Sequence, residues 1–565
     1  MTKFGKIVLL LFALISISAK AQEPWTYNTL GERIISPAYR ITESPTIFDT
    51  VIPSPTVQYP LLSRNMRTQI TVTPIEPSKI KIVDPLDKLY PAYLKLGVGN
   101  YASPLGEFYF NSMRNRKVNY GFALKHNSSF GNIKGYAPSG FDNTTGRVFG
   151  DFFAGQFRIQ PELNYLNNGY HFYGIEDTAN FYSKDSLKNR VQGFGGGIRF
   201  SNFTPKDSAK LLFTIHSNYF YFHEFQQASD TLGLNASNHN FTIGSEMKYK
   251  FKHNIFNVDF DINYNQYNVN RRDTLFASGY ESLKPHNWLI HLRPTISSYG
   301  EKWKITYGVD LNLDTPQEDS LFKIVPIVEA KYSLFNDMFI PYVGVDGGVQ
   351  QQTFQTLNRV NPYILSSVRL LNTKTTNFYY GIKGTLSKKI SFNVRGFYKM
   401  YDNIPLFVND TNYSDMYRFR VTYDRINVLG FNATFSYQAG EKFKLDLMGE
   451  YNSYKTEIEL YAWNLPEYVF TLRANYNLFD KLYIKADFTL QGGRKSTGGI
   501  FETDQTTANY DLGILADANL HFEYRYSKRL SAFLQLNNLA AQSYQRWYGY
   551  PVQGFQVMGG LTFGF

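Results

Sequence analysis

The sequence predicts an all-β chain: a transmembrane antiparallel β-barrel of about 22 strands, with a proline-rich N-terminal extension on the periplasmic side. Three observations predict it. Segment after segment alternates apolar with polar or charged residues, a period that points successive side chains to opposite faces of a strand. The chain holds 44 Tyr and 47 Phe and is 17% aromatic, yet its mean hydropathy is only −0.33. Its first residues have the form of an export signal.

That signal is MTKFGKIVLLLFALISISAKAQ, with Lys3 and Lys6 ahead of an apolar run from Ile7 to Ile17. Ala19, Lys20 and Ala21 form a small-residue cleavage site before Gln22. The apolar core is too short for a spanning helix, so residues 1–21 read as a secretory signal peptide. Loss of Lys3, Lys6 and Lys20 would lower the formal charge from +11 to +8. No later run of 18 apolar residues follows, and there is no cysteine. Thiol catalysis and cysteine-based metal sites are therefore excluded.

Residues 22–88 come next, and ten of the 23 prolines lie between Pro24 and Pro91. Proline fixes φ and lacks a donor, so this stretch reads as an extended periplasmic segment. Residues 89–565 change to strands. In LYIKADFTLQ, Leu482, Ile484, Ala486, Phe488 and Leu490 alternate with Tyr483, Lys485, Asp487, Thr489 and Gln491. FNVDFDINY and ANLHFEYRY repeat the pattern, with Asp259, Asp261, Glu523 and Arg525 in the polar register. Arg395 and Lys399 take the same register in NVRGFYKM. A charged face opposite an apolar one in strand after strand is the reverse of a soluble barrel and suits one that spans an outer membrane.

Connections give the strand count. Short ones read NRK (115–117), KHN (252–254), GEK (300–302), FND (335–337), SKK (387–389), AGEK (439–442), FDK (479–481) and SKR (527–529), with two longer turns near 158–162 and 204–210. Eleven long loops lie between them, which makes 22 strands and places both chain ends on the periplasmic side. The chain closes with GFQVMGGLTFGF, in which Phe555, Val557, Leu561, Phe563 and Phe565 share one register. Such a strand closes the barrel against the first one, since no edge is left unpaired in lipid. Phe563 and Phe565 are also the candidate signal by which barrel assembly machinery recognises the chain.

The stretch LNNLAAQSYQRWYGYPVQGFQVMGGLTFGF, residues 536–565, resembles the last hairpin of TonB-dependent receptors. The family features are Asn538-Leu539, Tyr544, Gly549-Tyr550-Pro551, Gly554 and Phe565. WNLPEYVFTLRANYNL, residues 463–478, resembles a loop-to-strand step two hairpins earlier in that family. The resemblance implies a 22-stranded barrel in the outer membrane. The family also carries a globular plug much longer than residues 22–88, and no glycine-rich plug pattern occurs here. The barrel is carried over from the resemblance and the energised gating is not.

Catalytic signals are weak, so the chain reads as no enzyme and as needing no cofactor or metal. His216 and His223 are seven apart and so point to opposite faces of one strand, so His216, His223 and Glu224 make no ligand set. Lys485, Asp487, Arg395, Lys399, Asp259, Asp261, Glu523 and Arg525 are the candidate lumen-facing residues: a solvated, salt-bridged wall, or a polar path. Tyr544, Trp547, Tyr548 and Tyr550 form a candidate outer-loop cluster, either an aromatic girdle or a stacking surface for a sugar or protein. Export and the lack of a concentrated basic run argue against nucleic acid. Two functions follow: a transport conduit whose lumen is closed by loops, by residues 22–88 or by a separate lid, and alternatively a plugless barrel serving as a structural subunit of a barrel-assembly or secretion machine. The expected partners are outer-membrane lipid, the assembly machinery during insertion, and a surface lipoprotein or envelope-complex subunits.

Overall fold

The computed structural model describes residues 89–565 apart from 114, 178–180, 184, 186, 203–209, 227–234, 271–285, 316–320, 410–417 and 498–508. The cleavage residues Ala19, Ala21 and Gln22, and the segment 22–88, lie outside the described residues.

Twenty-two antiparallel strands form one sheet, from Ala92–Gly99 to Gln556–Gly564. The last strand pairs with the first, Lys95 opposite Thr562 and Leu96 opposite Leu561, so the sheet is a closed barrel. Phe565 completes the seam: its N–H donates to the Ala92 carbonyl at 3.0 Å and its carbonyl accepts from the Ala92 N–H at 3.0 Å. Closure matters because an unpaired edge has no hydrogen-bond partner in lipid.

The alternation sets the two faces. On the strand Trp303–Thr315, Ile305, Tyr307 and Leu313 are exposed outward, whereas Asp310, Asn312 and Asp314 are buried on the inner side. The seam repeats this arrangement, with Leu96, Val98, Leu561 and Phe563 exposed and Lys95 and Thr562 buried.

The strand bounds give ten short connections at one rim and eleven at the other. Two details differ from the sequence reading. The turn expected near 158–162 lies at Gly155 and Gln156, and residues 158–162 belong to the strand Phe157–His171. Gly155 makes the reversal at φ +61, a conformation that glycine adopts at no steric cost. At the long-loop rim, the first connection is only Asn100–Ala102, between Ala92–Gly99 and Ser103–Asn111.

Candidate functional site

The largest buried apolar cluster lies at the long-loop rim and joins distant arcs of the wall. One arc contributes Val191, Phe222, Ala236 and Tyr267, and the opposite arc contributes Phe407 and Phe419. Between them sit Phe354, Leu357, Ile364, Val368 and Leu370 from the connection 351–372, with Trp547 and Tyr550 from the connection 538–555. Strands so far apart in the barrel order share a core only because these loops fold inward. We call this inward-folded assembly the lid.

The lid begins with the α-helix Phe354–Val360. Thr353 starts it: its side chain accepts from the Thr356 N–H at 3.1 Å, and the Thr356 hydroxyl accepts from the Thr353 N–H at 2.8 Å. That is a capping box closed by two threonines. Phe354 and Leu357, three apart, share the face that enters the core.

Polar side chains tie the lid to the wall. Asn240 donates to Gln355 Oε1 at 3.1 Å, and Asn358 donates to the Tyr170 hydroxyl at 3.4 Å. The Ser366 hydroxyl donates to Glu224 Oε2 at 2.6 Å, and Asn189 donates to Glu224 Oε1 at 2.7 Å. Asn372 donates to Asp314 Oδ1 at 2.7 Å. On the opposite arc, Leu365 N–H donates to the Phe419 carbonyl at 2.8 Å, and Phe419 N–H to the Tyr363 carbonyl at 3.0 Å. Buried polar groups with such partners hold one arrangement in place.

Aromatic stacking completes the assembly. The Tyr550 ring stacks on Tyr363 with centroids 3.6 Å apart, and Trp547 meets Phe407 and Phe419 edge-on at 5.2 and 5.5 Å. Burial pushes the Tyr363 hydroxyl up to about 12, because a phenolate loses its water there. Arg494 joins two loops by donating to the carbonyls of Arg546 and Gln545 at 3.1 and 2.9 Å. Asn538, at φ 48, donates to the carbonyls of Gln542 and Gln553 at 2.9 and 3.0 Å.

The outer-loop aromatic cluster is therefore corrected. Tyr544, Trp547 and Tyr550 are 7%, 6% and 1% exposed, so neither a lipid girdle nor a free stacking face is available to them. Only Tyr548 keeps partial exposure, edge-on to Tyr510 at 4.8 Å. The sequence reading missed the helix and the whole connection 351–372. The one local trace was Thr353 before Phe354 and Leu357, a cap ahead of an i, i+3 apolar pair.

The candidate lumen residues fall on three separate arcs and do not converge. Asp261 Oδ1 lies 3.2 Å from His216 Nε2, and its Oδ2 lies 3.7 Å from His291 Nδ1. His291 Nε2 and Arg293 Nη2 reach Asp310 at 2.6 and 2.8 Å, while Asp259 is buried two residues before Asp261. Arg395 lies over the Tyr379 ring at 4.3 Å and Lys399 over Phe397 at 4.4 Å. Lys485 meets Asp487 at 3.2 Å, and Arg525 lies over Tyr483 at 4.2 Å, with Glu523 opposite Tyr483 in register. His223 stacks with Tyr221, apart from His216 and Glu224. Among the described residues, no group of three or more His, Asp or Glu is placed to hold a metal ion.

No family model and no curated protein matches the chain. Solved structures do. The siderophore receptor PirA from Acinetobacter baumannii aligns with TM-score 0.65 at 12% identity, covering 85% of this chain and 81% of that one. The pyoverdine outer membrane receptor FpvA from Pseudomonas aeruginosa PAO1 aligns with TM-score 0.64 at 12% identity, covering 85% and 79%. The ferric-catecholate import receptor Fiu from K12 E. coli aligns with TM-score 0.61 at 13% identity, covering 84% and 82%. Identities this low establish the fold. The chain is a closed β-barrel with the 22-strand fold of these outer-membrane receptors.

Proposed function

We propose that the protein is a transport conduit across the outer membrane, closed at its outer mouth by its own loops. On this reading the short-turn rim and both chain ends face the periplasm, and the long-loop rim faces outward. The observation that carries it is the contrast between wall and lid. The wall is a continuous backbone ladder, whereas among the described residues the lid joins it through the isolated bridge Ile364–Phe419, a backbone bond from the Leu539 N–H to the Ala518 carbonyl, side-chain hydrogen bonds and apolar packing. Such contacts can break and re-form while the ladder stays closed, which a gate requires.

Insertion would proceed through the barrel assembly machinery, and a single surface lipoprotein is the partner that a loop-gated conduit would accept at its outer rim. The test is extraction of the native membrane in mild detergent, purification through a tagged outer loop, and identification of what accompanies the barrel. The conduit reading expects the barrel alone or with one surface lipoprotein. Recovery in a stable complex with barrel-assembly or secretion subunits would overturn it in favour of a scaffold.

A further inference from the structure

Several charges on the inner wall are neutralised by a neighbour. Arg158 pairs with Asp151 at 2.8 Å, Arg190 with Asp142 at 2.7 Å, Arg293 with Asp310 at 2.8 Å and Lys323 with Asp314 at 3.1 Å. Five adjacent strands instead carry a run of cations. Lys304 stands directly opposite Lys331, Lys331 opposite Tyr342, Tyr342 opposite Gly381, and Gly381 opposite Arg395. Lys383 follows Gly381 by two residues and so shares its face. The alternate residues Ile305, Tyr332, Val343, Tyr380 and Val394 are exposed outward, which turns all four cations into the lumen.

Like charges directly opposite on a sheet destabilise it, and little here offsets that. Glu329 lies 3.7 Å from Lys331 and also accepts from the Tyr379 hydroxyl at 3.1 Å. Among the described residues no ion pair serves Lys304, Lys383 or Arg395; they lie against the rings of Tyr299, Tyr342 and Tyr379 at 5.0, 5.5 and 4.3 Å. Arg395 Nε is buried without a hydrogen-bond partner. Tyr342 lies across Gly381, where a Cβ would come within 2.6 Å of its ring, and its hydroxyl donates to Asn393 at 2.7 Å. The glycine lets that ring lie between the cations and keep them apart.

We infer that Lys304, Lys331, Lys383 and Arg395 form an oxyanion-binding site on the lumen wall, for a solute bearing several phosphate or carboxylate oxygens. Lysine supplies point charge and arginine a planar pair of donors, the combination that selects oxyanions in pores. A concave, low-dielectric wall strengthens the attraction.

The test is equilibrium titration of the purified full-length barrel in detergent with inorganic pyrophosphate at low salt, read by calorimetry. The triple variant K304Q/K331Q/K383Q is expected to bind at least about tenfold more weakly, from the loss of three charge-assisted contacts. Lys444→Gln, a lysine already paired with Asp446 on another part of the wall, is expected to bind as the parent does. Heat-modifiable migration reports folding, and Lys331→Gln alone serves if the triple variant does not assemble. Equal binding by the parent and the variants, or an equal loss in Lys444→Gln, would overturn the site. No flux is measured, so the site and the conduit reading fail independently.

Discussion

At Tyr550 a single ring touches Tyr363, Tyr173 and Phe419, with centroids 3.6, 5.0 and 6.2 Å away. Truncation to alanine would leave a cavity in the lid core worth about 3–5 kcal/mol. Tyr550→Ala is therefore expected to raise single-channel conductance while heat-modifiable migration stays normal; a silent channel would contradict the role given to this ring. Tyr363 adds a dependence on pH. Its pKa is raised to about 12 by burial, against an ordinary value of about 10, so folding favours its neutral form. Its contribution is complete below about pH 10 and is lost as pH rises through about 12. Conductance should accordingly rise across that window, and Tyr363→Phe should flatten the rise. A rise of equal size in the variant would assign the effect to other groups.

Among the elements, the connection 351–372 is the part that the sequence concealed. Strand alternation is a local signal, and it located the wall because each strand needs only its own period of two. The lid has no such period. Its seven-residue helix, Phe354–Val360, is too short to show one, and its burial comes from Phe222, Tyr267, Phe407 and Phe419, residues far away in the chain. The sequence reads Tyr544, Trp547 and Tyr550 as a girdle or an open stacking surface for the same reason, since nothing near them in sequence shows that a second loop covers them. The anchor that should matter most is Glu224, 1% exposed, which receives hydrogen bonds from Ser366 and Asn189. Leaving a buried acceptor without its donor costs about 1–3 kcal/mol. Ser366→Ala is expected to make the connection 351–372 cleavable by protease in the folded barrel, at unchanged strand content by circular dichroism. Resistance equal to that of the parent would show that Ser366 does not hold the lid.

Over the whole molecule, the strand count, the closed sheet and the polar inner face were legible, because lipid on one side and water on the other force one pattern on every strand. The misplaced turn at 158–162 shows the limit: Pro161 is a breaker in general, yet it is accommodated in the strand Phe157–His171, and the reversal belongs to Gly155. The seam makes its own prediction. Deletion of Phe565 removes both of its backbone bonds to Ala92 and is expected to lower the yield of assembled, heat-modifiable barrel; normal assembly would remove Phe565 from the insertion signal. The central claim, a conduit shut by its own loops, is tested most directly by planar-bilayer conductance of the purified parent and of a variant with residues 351–372 replaced by a short glycine-serine linker. The account expects a nearly silent parent and a large, steady conductance in the variant. Equal conductance in both would contradict it.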